Sequence, residues 1–218
     1  MVRMVSLNAA VALLATVVIS ITASPLHAAT AAPVKLFGTT EKSSTKLGKF
    51  TKWGETLDRY LKEEPSELNK CQPSAVEKYH ITRWRIFLKQ IAKDTPSEQL
   101  AKVNGYVNRW LYKIDQRVYR KKNYWATPAQ FFNKSGDCED YAITKYISLS
   151  HLGFDKDQMR IAIVQDLNLK VPHAVLVVYL DGKALILDNQ IKQVVSAGRI
   201  THYKPIYSIN ETKWWIHK

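Results

Sequence analysis

The chain has 218 residues, with 32 lysines and arginines against 19 aspartates and glutamates, a formal net charge of +13. No Cys/His zinc spacing, Gly-rich phosphate loop or internal repeat is visible. The basic balance alone admits nucleic acid as a partner. The leader described next points to export, where anionic membrane surfaces and acidic partners are met instead and no nucleic acid is expected.

The first 30 residues read as a secretory leader. Arg3 is its only charge, Val5 to Ala23 is apolar and small, and Leu26-His27-Ala28 or Ala29-Thr30-Ala31 offers a cleavage site. The apolar run approaches membrane-spanning length, so an uncleaved anchor is the alternative. Residues 31–218 then form one domain with a single sizeable core. Three apolar helical faces follow: Trp53, Thr56, Leu57, Tyr60 and Leu61; Trp84, Phe87, Leu88 and Ile91; and Val103, Val107, Trp110, Leu111 and Ile114. Pro65, Pro73 and Pro96 are read as breakers between them, and Pro96-Ser97-Glu98 as a helix start. Tyr141, Ala142, Lys145, Tyr146, Leu149 and Leu152 mark a further helix, stopped by Gly153. Strands are predicted at 159–164, 174–180 and 184–187, with shorter ones at 194–196 and 206–209. Helices first and an antiparallel sheet second make an α+β fold.

The sequence Gly136-Asp137-Cys138-Glu139-Asp140 opens the helix of 141–152. A cysteine there meets unpaired N–H groups and the positive end of the dipole, which favour a thiolate. By itself a lone cysteine is more often a small apolar residue. His173, at the start of one predicted strand, and Asp188, at the end of the next, change the balance. A cysteine nucleophile needs a base, and the base needs an acid to hold its tautomer. The short Asp181-Gly182-Lys183 turn can set base and acid side by side. The rival is a Cys71–Cys138 disulfide in an oxidising compartment, although Cys71, in a loop, is expected to be unpaired. Asp137, Glu139 and Asp140 oppose ionisation of the neighbouring thiol. Either they cap the helix and face water, or they bind a cation. Clustered carboxylates suit calcium, but they lack the spacing of an EF-hand loop.

The segments WATP, GDCEDYAITKY, HAVLVVY and LILDNQ, together with RWRIFLKQI and YKPIYSINETKWW, resemble the bacterial transglutaminase-like cysteine proteinases over nearly all of the chain after the leader. The resemblance implies a papain-like, transglutaminase-like core and a Cys138-His173-Asp188 triad. It implies Ca²⁺ held by Asp137, Glu139 and Asp140, and a place near the cleft for Trp125, for which core packing is the equal alternative. It further implies a periplasmic protease that cuts the N-terminal region of a large repeat-containing adhesin at a di-alanine site. An inner-membrane cyclic di-GMP receptor would be its inhibitory partner. Acyl transfer to an amine, hydrolysis of peptidoglycan, and a non-catalytic binding module are the other classes that the residues allow.

Overall fold

Helix α6 (Cys138–His151) lies against a seven-stranded sheet, and the other elements are arranged around that contact. The computed structural model describes residues 35–69 and 75–218, and the side chains outside 64–78. The leader, Cys71 and Pro73 lie outside the described residues. Three helices precede the site: α1 (Thr51–Asn69), α2 (Ala75–Ile91) and α3 (Pro96–Val107). Two short ones follow, α4 (Asp115–Val118) and α5 (Pro128–Lys134). Helix α3 begins as expected. Thr95 and Glu98 form a reciprocal capping box with Pro96 in the first turn. Pro65 does not break α1, whose backbone stays helical to Asn69.

The sheet is antiparallel throughout, in the order β1 (Glu41–Ser44), β7 (Trp214–His217), β6 (Tyr203–Ile209), β2 (Met159–Asp166), β3 (Val171–Leu180), β4 (Lys183–Leu187), β5 (Val195–Ser196). This is the α+β layout expected from the sequence. Strand β3 is buried along most of its length because both faces of the sheet are covered. Leu176 and Val178 join the helical core of Trp53, Trp84, Phe131 and Tyr146. Val175 and Val177 join a second cluster with Ala162, Ile186 and Tyr203. A strand covered twice loses its polar alternation, which is why HAVLVVY is a nearly continuous apolar run. Asp181 (φ 49°) and Gly182 (φ 70°) make the two-residue turn that joins β3 to β4. Positive φ at both positions matches the right-handed twist of the flanking strands and fixes their register.

The third predicted helix stops early. It ends at Val107, and Leu111 and Ile114 are exposed. From Trp110 the chain runs extended beside the segment that leads into Cys138. Tyr112 bridges Gly136, and the Lys113 N–H donates to the Gly136 carbonyl at 2.8 Å. That pairing, anchored by Trp110 Nε1 on the Phe132 carbonyl at 2.9 Å, overrides the helical spacing of the side chains.

Candidate active site

The sequence TPAQFFNKSG places α5 just ahead of the nucleophile segment. Thr127 and Gln130 cap it reciprocally, and Pro128 sits in its first turn. It ends at Ser135, whose φ of 66° turns the chain away. Gly136 follows, and only glycine fits: a Cβ there would lie 2.0 Å from Asp140 Oδ2. That close approach lets Asp140 accept the Asp137 N–H at 3.2 Å and the Ala126 N–H at 2.7 Å. The buried Asp140 carboxylate therefore ties the start of α6 to the segment bearing Trp125. The Trp125 indole is 6% exposed and packs edge-on against Trp53. The ring packs in the core, one of the two places weighed for it.

Cys138 is the first residue of α6 and carries a free thiol. Sγ donates to Glu139 Oε2 at 3.1 Å. Burial pushes the thiol pKa strongly up. Glu139, through its charge and this hydrogen bond, and then Asp137 push the same way, while the Ala174 backbone N–H opposes them. All but the amide oppose ionisation of the thiol, burial most of all and the acidic flank after it.

Ala174 follows His173 on β3, so the strand that brings an amide to the thiol also carries the imidazole. His173 is 3% exposed, and its Nε2 lies 2.9 Å from Asp188 Oδ1. The other ring nitrogen, Nδ1, is 3.4 Å from Gln190 Nε2. Asp188 also accepts the Gln190 N–H at 2.9 Å on Oδ1 and the Tyr203 hydroxyl at 2.7 Å on Oδ2. Burial alone would raise the Asp188 pKa. The hydrogen bond and charge of His173, with those two donors, outweigh it and hold the carboxyl below its usual range. Gln190 and Tyr203 were not legible in the sequence, because only the fold brings them to Asp188.

The acidic residues divide into two groups. Ligand-type atoms of Asp137, Cys138 and Glu139 lie within 4.8 Å of one another, and so do those of Asp115, Asp137 and Asp140. Asp115 was missed by sequence reasoning: it stands in a basic stretch, and nothing in its neighbours points to residue 137. It is 1% exposed, and its Oδ2 accepts the Tyr124 N–H. Asp115 Oδ1 and Asp137 Oδ1 are buried without a hydrogen-bond partner. Burial, then the charges of Glu139, Asp140 and Asp115, push Asp137 up to about 9, with a hydrogen bond to Glu139 adding to the rise. Burial likewise raises Asp140 and Asp115. Orphaned carboxylate oxygens converging at this spacing fit a hard divalent cation, which would neutralise charges that are otherwise costly to bury.

Residues 65–217 match the model of the bacterial transglutaminase-like cysteine proteinases. Legionella pneumophila LapG in its calcium-bound form superposes with a TM-score of 0.61 at 30% identity, covering 74% of this chain and 87% of that one. The EGTA-treated form of LapG gives 0.62 at 30% identity over 75% and 86%. No curated protein matches the chain. With the family's model spanning most of the sequence and the LapG fold spanning three quarters of it, the chain belongs to the bacterial transglutaminase-like cysteine proteinases.

Proposed function

We propose that the protein is a calcium-dependent cysteine endopeptidase in which Cys138 is the nucleophile, His173 the base and Asp188 the residue that orients and stabilises the imidazole. The observation that carries this is the buried His173–Asp188 pair at 2.9 Å, with His173 on the strand whose Ala174 amide reaches the Cys138 thiol. With Nε2 committed to Asp188, Nδ1 is the nitrogen left to take the thiol proton. Cys138 then attacks the peptide carbonyl, and N–H groups at the start of α6 stabilise the oxyanion. His173 returns the proton to the leaving amine, and water, activated by the same imidazole, releases the acyl group.

Asp137, Asp140 and Asp115 would hold Ca²⁺, with Glu139 beside them. Bound there, the ion supplies positive charge that offsets the acidic flank. Glu139 is the residue that must let go of the thiol before Cys138 can ionise toward His173.

The substrate we propose is the N-terminal region of a large repeat-containing adhesin, cut at a di-alanine site so that the adhesin is released and a biofilm disperses. The protease would work in the periplasm, exported by residues 1–30, and be restrained by an inner-membrane cyclic di-GMP receptor. Likeness to LapG and the leader pattern support this. Purified protein incubated with an adhesin N-terminal fragment tests it. Cleavage is expected with calcium and is expected to vanish in excess EGTA or with Cys138→Ala. Asp188→Asn should lower kcat by about a hundredfold or more. Cleavage that persists in EGTA would remove calcium, and cleavage by Cys138→Ala would remove the nucleophile. A labelled amine incorporated without peptide cleavage would turn the assignment to acyl transfer.

A further inference from the structure

Beside the nucleophile segment lies a cavity of about 400 Å³ that the mechanism does not use. His80, Arg83 and Arg109 are among its lining residues. Tyr106 and Trp110 form an aromatic wall, with ring centroids 5.5 Å apart. The Arg109 guanidinium sits 5.4 Å from the Tyr106 ring centroid, and one Arg83 nitrogen donates to the Tyr79 hydroxyl at 2.7 Å. Among the described residues, neither arginine is ion-paired to a carboxylate.

Two further lining residues, Leu111 and Ser135, join the cavity to the site. Leu111 precedes Tyr112, which bridges Gly136. Ser135 is three residues before Cys138, a span of at most about 11 Å of chain. The chain that follows continues the basic stretch. From Arg109 to Lys122, through α4, it carries six lysines and arginines and one carboxylate, Asp115, which is buried toward the acidic cluster.

The geometry points to a subsite for an acidic side chain of the polypeptide substrate, held by Arg83 and Arg109 at the mouth of this cavity. The inference rests on the protease assignment above and adds a specificity to it. An extended peptide advances about 3.3 Å per residue. The acidic residue therefore falls about two to four positions from the scissile bond, on one side only. Planar guanidiniums suit a carboxylate; the Tyr106 ring backs that of Arg109, and the Tyr79 ring and hydroxyl back that of Arg83.

Cleavage-site profiling tests this, using a proteome-derived peptide library, the purified protein with calcium, and the Arg83→Gln/Arg109→Gln double variant. The rate of Cys138 alkylation by iodoacetamide serves as the fold control. The native protein should show Asp and Glu enriched at one such position, with kcat/KM about tenfold above the Ala counterpart. The double variant should lose that enrichment, and Arg83→Glu/Arg109→Glu should convert it to a preference for Lys or Arg. Native cleavage without acidic enrichment, or enrichment that survives in the double variant, overturns the subsite and leaves the protease standing. Absence of any Cys138-dependent cleavage overturns both together.

Discussion

Single residues carry much of the site's energetics. Gly136 is one: its missing Cβ makes room for Asp140 to hold the Asp137 and Ala126 amides. Gly136→Ala should cost about 2–4 kcal/mol, because either the carboxylate or the backbone must move. Chemical denaturation measures this, and a native midpoint would show that the contact is soft. Lys145 is another. It is wholly buried on α6, its Nζ lacks a hydrogen-bond partner, and burial lowers its pKa to about 7 against the pull of Asp188. The unfolded chain therefore binds a proton that the folded one gives up between about pH 7 and 10.5, so stability rises with pH across that window and is flat below it. Lys145→Met should be the more stable form at pH 7, by an amount on the order of several kcal/mol that shrinks toward pH 10. Urea titrations of both proteins at pH 7 and pH 9.5 decide it. A constant difference would mean that the amine keeps its proton in the folded state.

At the scale of elements, the helix caps work locally and can be tested apart from the chemistry. Thr95→Ala removes the cap of α3 and should cost about 1 kcal/mol with unchanged Cys138 alkylation. A change in alkylation rate would show that α3 couples to the site. Helix α6 and strands β2, β3 and β4 were legible because their patterns are long and bounded by clear turns. Cys138, His173 and Asp188 stand at the ends of those same elements. Strands β1 and β7 were not: Glu-Lys-Ser-Ser has no strand pattern and becomes one only by pairing with Trp214–His217. Leu111 and Ile114 continue a helical spacing, yet pairing with Gly136 draws their segment out of the helix. Asp115, Gln190 and Tyr203 were invisible for a related reason, since a tertiary contact leaves no local trace.

For the whole molecule, a calcium ion held as proposed by Asp115, Asp137 and Asp140 would make stability and occupancy one equilibrium. A cation that binds only the folded chain at a hundred times its Kd adds about 2.7 kcal/mol. Because burial and the neighbouring carboxylates push Asp137 up to about 9, the proposed binding would expel a proton at neutral pH, and affinity should weaken as pH falls. The rise in Tm on adding calcium should therefore be larger at pH 8.5 than at pH 6.5. Equal rises, read by scanning fluorimetry, would mean that Asp137 is already ionised or takes no part. The fold itself should persist in EGTA, since both apolar clusters form without help from the acidic residues.

The bond from Cys138 Sγ to Glu139 has a consequence for durability. Oxidants attack thiolates far faster than thiols, and overoxidised cysteine is not recovered. If Cys138 is the nucleophile proposed above, its bond to a carboxylate keeps it in the chemically quiet form until it is needed. Hydrogen peroxide should inactivate the protein more slowly in EGTA than in calcium when both samples are returned to calcium and assayed. The resting enzyme would then be the form with the longer shelf life.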